Sequence, residues 1–144
     1  MINGAKYALA ISSIYLWIGF VCAISFMEAW LKFKAPGVTM PIGLGIGRLI
    51  FGALNKVEWV FALAIILNLV LSKEKIITMG NITLFLPIFL LAVQTVFLLP
   101  ALDARAELYI QQKTIPASNL HLYYVGAELV KVISLFIFSI KLFK

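Results

Sequence analysis

Tyr7 to Phe33 reads YALAISSIYLWIGFVCAISFMEAWLKF, 27 residues in which Glu28 and Lys32 are the only charges. A helix of that length extends about 40 Å, more than the roughly 30 Å hydrocarbon core of a bilayer. Tyr7, Trp30 and Phe33 stand where membrane interfaces favour aromatic rings. The short start Asn3-Gly4-Ala5-Lys6 has the look of a signal n-region, but the apolar stretch is too long for a cleaved signal peptide. The stretch therefore predicts an uncleaved first membrane span.

Composition extends this reading to the whole chain. Of 144 residues, 63% are hydrophobic and 12% charged, with a mean hydropathy of +1.06. A soluble domain of this size has too little interior to hide so much apolar surface. The formal net charge of +6 does not point to nucleic acid, because the lysines gather at segment ends (Lys6, Lys32, Lys34, Lys73, Lys75, Lys141, Lys144) and form no stripe. There they serve as anchors among lipid headgroups. The single cysteine, Cys22, excludes an intramolecular disulfide and any multi-cysteine metal site.

Four spans are predicted, over residues 7–33, 48–71, 82–102 and 119–143, with both termini on one side. Pro36 and Pro41 interrupt the chain after the first. The start of the second is ambiguous, because Ile42 to Ser72 forms about 46 Å of helix; Ile42 to Gly52 is either a projecting part of it or a separate interfacial piece. Ser72 to Asn81, with Lys73-Glu74-Lys75, reads as a polar turn. The third span has Pro87 near its start and Pro100 near its end, and Asp103 to Lys113 continues it as a polar helix to Pro116. Ser118 or Asn119 is placed to cap the fourth. Positive residues are nearly balanced between the two ends, with a slight preference for termini in the cytoplasm.

Charges inside such spans carry the functional signal. A carboxylate in hydrocarbon costs roughly 2.5–3.5 kcal/mol on insertion scales, so it faces a bundle interior and has a partner. Glu28, Arg48, Asn55, Glu58, His121 and Glu128 all fall toward the end that carries the 1–2 and 3–4 loops, which predicts a polar, wet end and a dry one. Depth suggests a Glu28–Arg48 pair beside the first hairpin and a deeper Glu58–Lys131 pair between the second and fourth spans. His121, Tyr124, Glu128 and Lys131 follow spacings of three, four and three, one face of one helix. Glu128 is then left with His121 and Tyr124. A carboxyl without a strong cation in low-dielectric surroundings favours its neutral form, which makes Glu128 the proton-binding candidate. Each of these groups also has a purely architectural reading, in which polar contacts only fix helix register.

Other motifs say less. Gly43-Leu44-Gly45-Ile46-Gly47 lacks the G-x-G-x-x-G spacing of a dinucleotide loop, and no strand precedes it. Gly43, Gly47 and Gly52 read instead as a slim surface for close helix packing, within the chain or between copies. No nucleophile–base pair stands out, and serine in a membrane helix, as at Ser25, usually bonds its own backbone. No metal site is predicted; His121, the lone histidine, is the one weak candidate ligand.

The layout, with LLPALDAR (98–105) closing the third helix and SNLHLYY (118–124) opening the fourth, resembles small bacterial membrane proteins of the copper-resistance-D type. That group implies histidines near helix ends that bind metal or haem, a role only His121 can carry here. The pattern around FMEAWLKF (26–33) resembles DoxX-like four-helix proteins. A bacterial cytoplasmic-membrane location follows from either resemblance.

The expectation is an all-α, integral membrane four-helix bundle forming one domain over residues 1–144, with a polar pocket near one face and no cofactor required by the sequence. Its leading function is a binding or assembly module: an accessory subunit, or a binder of a small amphiphile or lipid. The alternative is a membrane enzyme or proton-coupled carrier using Glu128, His121 and Glu58. Predicted partners are the bilayer, a further copy or a larger membrane complex, and a small hydrophobic or amphiphilic ligand.

Overall fold

A computed structural model of the chain describes residues 6–73 and 81–144, so Asn3–Ala5 and residues 74–80 of the predicted turn lie outside the described residues. The described residues are helical apart from short connections. Three helices are long and apolar enough to cross a membrane: α1 (Ala8–Lys34, 27 residues), α2 (Met40–Leu71, 32 residues) and α3 (Ile82–Ile110, 29 residues). The fourth, α4, covers Leu120–Phe143, 24 residues.

Local chemistry explains where the helices begin and end. The first turn of α1 leaves donors without intrahelical partners, and Asn68 of α2 answers one of them, its Oδ1 accepting the Ala10 N–H at 3.0 Å. Thr39 is extended, and α2 then starts at Met40 with Pro41 in its first turn. There a fixed φ and a missing N–H do no harm. Only Pro36 therefore interrupts the chain, and α2 begins eight residues before the predicted 48. Lys73 (φ 57°) and Gln112 (φ 55°) adopt the left-handed conformation that ends α2 and α3. At the start of α4 the Ser118 hydroxyl accepts the Leu120 N–H at 3.2 Å.

Pro100 does not end the third helix, which runs through it to Ile110. The ladder widens to a π-turn over Gln94–Leu98, just before the proline. A π-turn displaces one hydrogen bond and makes room for the ring. A second π-turn occupies Cys22–Glu28 of α1.

The helices form an antiparallel bundle. α1 lies along α2 and α4, while α3 meets α4 with its first half and α2 with its second. α2 and α4 thus face each other across the centre. One half is a dry core, built from Ile14, Trp17 and Val21 of α1, Ala62, Ile65 and Leu69 of α2, Leu84 and Leu91 of α3, and Leu135 and Phe138 of α4. The other half, toward the 34–40 and 110–120 connections, is polar, as the positions of the charges predict. Outward faces carry large apolar side chains such as Leu49, Leu63, Phe89, Phe97 and Phe136.

The predicted glycine seam is only partly a seam. A Cβ on Gly43 would lie 2.1 Å from the Phe33 ring, and one on Gly47 would lie 3.2 Å from Lys32 Nζ. Both glycines therefore let α2 approach the end of α1 inside one chain. Gly52 meets nothing within 4 Å, so it does not serve packing within the chain. It borders open space.

Candidate functional site

That space is a cavity of about 630 Å³ at the polar end, between the end of α1, the first half of α2, the second half of α3 and the start of α4. Its walls are Phe33, Leu44, Phe51, Leu99, Pro100 and Leu102, with Gly43, Gly47 and Gly52 thinning one side. Lys32, Arg48, Asp103 and His121 add polar heads, and Thr95 and Tyr124 add hydroxyls.

Those heads are held in place. The Lys32 ammonium lies 3.2 Å from Glu28 Oε2 and within 5.4 Å and 5.7 Å of the Phe33 and Phe51 ring centres. A cation over aromatic faces is stabilised there by about 0.5–1 kcal/mol or more. Arg48 fastens α2 to α3: its Nε lies 2.5 Å from Asp103 Oδ1 and its Nη1 2.5 Å from Glu107 Oε2. Arg105 donates to the Pro116 carbonyl at 2.8 Å and holds the 3–4 connection down. The expected Glu28–Arg48 pair does not form. Lys32, one helical turn on, takes Glu28, and Asp103 and Glu107, one turn apart on α3, together match the fork of the Arg48 guanidinium.

Deeper in the bundle the polar groups converge on two glutamates. Glu58, Glu128 and Lys131 are each 0% exposed. Lys131 Nζ contacts Glu58 Oε2 and lies 2.9 Å from Glu128 Oε1. The Glu58–Lys131 pair expected across the bundle is thus present, but Glu128 shares the same ammonium. The reading that left Glu128 without a cation is therefore wrong. The ammonium reaches Glu128 because i and i+3 residues are neighbours on α4. Trp17 Nε1 donates to Glu58 Oε2 at 2.6 Å, Gln94 Nε2 to Glu128 Oε1 at 2.6 Å, and Ser25 Oγ to Glu128 Oε2 at 3.2 Å. All four helices contribute, and each π-turn supplies one donor to Glu128: Ser25 from α1 and Gln94 from α3.

Three atoms at the cluster are buried without a well-aligned hydrogen bond: Glu58 Oε1, Gln94 Oε1 and the Tyr124 hydroxyl, the last lying against Glu128. Tyr124 is 1% exposed, lines the cavity and interacts electrostatically with both glutamates. It forms the cavity floor and the roof of the cluster. His121, at the other end of the same seam, is exposed on the cavity wall and makes no bond to Glu128. The four-residue seam is one face, yet it divides between two environments.

Asn55 sits beside this floor and binds α3, its Nδ2 donating to Thr95 Oγ1 at 2.9 Å. Trp59 Nε1 donates to the same oxygen at 3.0 Å, and the Thr95 hydroxyl donates to the Leu91 carbonyl at 2.7 Å. Sequence reasoning missed Trp17, Gln94 and Thr95, and it assigned Ser25 to its own backbone. Gln94 had a signal, an amide in the middle of an apolar helix. Trp17 had none, because its largely apolar ring fits a core or lipid-facing position equally well and the sequence does not show what its N–H meets. Among the described residues no group of three or more His, Cys, Asp or Glu is arranged to hold a metal ion.

No family model, curated protein or solved structure matches this chain.

Proposed function

We propose that this chain is a four-span integral membrane protein whose cavity, near one membrane face, binds a small amphiphile or lipid. The cavity carries the reading. Its volume of about 630 Å³ lies within the 300–1,000 Å³ typical of small-molecule sites. Apolar walls with charged groups at one end suit a molecule with a tail and a polar head. The case for a fourth span rests on α4 itself. It is about 36 Å long, presents Leu122, Leu129, Ile133, Phe136 and Ile140 outward, and pairs both of its deep charges inside. In hydrocarbon, polar bonds and close packing hold helices together, each interhelical hydrogen bond contributing about 0.6–2 kcal/mol. The cluster supplies several.

An accessory-subunit role is the second reading, supported by the continuous apolar outer faces. The Gly43–Gly47 surface, expected to serve such assembly, is occupied by Phe33 and Lys32 of the same chain. Native mass spectrometry of the gently solubilised protein separates the two. The binding reading expects a retained amphiphile of defined mass, lost in Gly52→Leu, which fills the cavity from a backbone position with free space around it. A ligand-free wild type that travels with larger membrane proteins would favour the accessory subunit.

A further inference from the structure

We propose that the Glu58–Lys131–Glu128 cluster is a proton-binding site: it holds one exchangeable proton between two carboxyls and exchanges it with the cavity past the Tyr124 hydroxyl. This goes beyond ligand binding and stands whether or not the cavity is filled.

The charge count comes first. Two carboxyls meet one ammonium, and all three side chains are fully buried. The other groups facing them are neutral: Trp17 and Ser25 from α1, Gln94 from α3, and Tyr124 from α4. With both carboxyls ionised the cluster would carry one uncompensated negative charge away from water, which is costly in a low dielectric. One bound proton makes it neutral. A proton held between two carboxyls around one cation belongs to the pair and not to either residue.

Geometry supplies the second argument. Glu58 Oε1 and Gln94 Oε1 are buried without a partner, and the Tyr124 hydroxyl is buried against Glu128 and near Glu58. Unsatisfied acceptors in the cluster and a hydroxyl set against its carboxyls are what a mobile proton requires. Access is one-sided. Tyr124 opens on the cavity, whose wall carries Lys32, Arg48, Asp103 and His121, whereas Val21, Ile65, Leu91 and Leu135 belong to the apolar core on the other side. In the uptake step a carboxylate gains the Tyr124 hydroxyl proton while the phenol oxygen takes one from a hydronium ion in the cavity, which is left as water. The cluster gains one positive charge, and Tyr124 is unchanged.

Infrared spectroscopy of the full chain in lipid vesicles tests this. The expected result is one carboxylic-acid C=O band at neutral pH, shifted by ¹³C-glutamate labelling and by transfer into D2O. Glu58→Gln and Glu128→Gln should each abolish the band, because either leaves a neutral carboxylate–ammonium pair. Tyr124→Phe should keep the band and slow its D2O shift at least tenfold. A wild type without a glutamic-acid band, or a band that survives both glutamine substitutions, overturns the site. Exchange as fast in Tyr124→Phe as in the wild type overturns the route. The labelled wild type needs no variant to fold, so the central claim is tested in every case.

Discussion

Lys131 is the residue on which the interior depends, because it is the only cation touching either buried glutamate among the described residues. Removing one member of a buried ion pair costs about 3–5 kcal/mol, since the remaining charge has no partner. Lys131→Met leaves two carboxyls in that position and should cost the full amount in stability, read as a lowered thermal unfolding midpoint in mild detergent. Glu128→Gln keeps an acceptor for Gln94 and Ser25 and leaves the Glu58–Lys131 pair intact, so it should cost only about 1 kcal/mol. Equal losses in the two variants would sink the idea that one ammonium serves both carboxyls. At this scale the sequence was partly legible. Glu58, Glu128 and Lys131 were identifiable from their depth alone, but the partner of Arg48 was not. Depth fixes how far along the bundle a side chain sits, not which neighbouring helix it faces.

At the scale of the elements, α1 and α3 are shaped by their π-turns. Each inserts an extra residue in its turn, and each places one donor, Ser25 or Gln94, against Glu128. A regular 3.6-residue period would turn those side chains elsewhere, which is why helical-wheel reasoning did not find them. On α2 the glycines divide by surroundings. Gly43→Ala drives a Cβ into the Phe33 ring and should destabilise by about 1–3 kcal/mol, the usual cost of overpacking. Gly52→Ala meets free space and should be neutral or stabilising by up to about 1 kcal/mol, from helix propensity. Thermal unfolding of the two single variants gives the comparison, and a loss at Gly52 matching that at Gly43 would contradict the cavity.

For the whole molecule, the antiparallel bundle puts Lys34 and Lys113 at the cavity end and Lys144 at the other. In a membrane these become opposite faces. Single cysteines introduced as Lys34→Cys and Lys113→Cys, in a Cys22→Ser background, should react with an impermeant thiol reagent from the same side of sealed vesicles. Lys144→Cys should react from the other. Labelling of the first two from opposite sides would rule out the four-span arrangement. The result also fixes which compartment the cavity faces, and therefore from which side a proton or amphiphile would enter.

The sequence by itself determined the helical character, the three long apolar helices, the gathering of charge toward one end and the shared face of His121, Tyr124, Glu128 and Lys131. These follow from composition and period, which are local. It overstated the effect of Pro41, which sits in a first turn where the missing N–H is accommodated; the helix it continued past Pro100 does run on to Ile110, with a widened turn making room for the ring. Only the tertiary structure decided that Glu58 and Glu128 share Lys131, that Arg48 joins α2 to α3, that Gly52 faces a cavity, and that Tyr124 stands between that cavity and the cluster. Those facts depend on which helix occupies which corner of the bundle and how far each is rotated about its axis. In hydrocarbon, where every outward face is apolar, hydrophobic pattern does not specify that rotation. The buried polar contacts do.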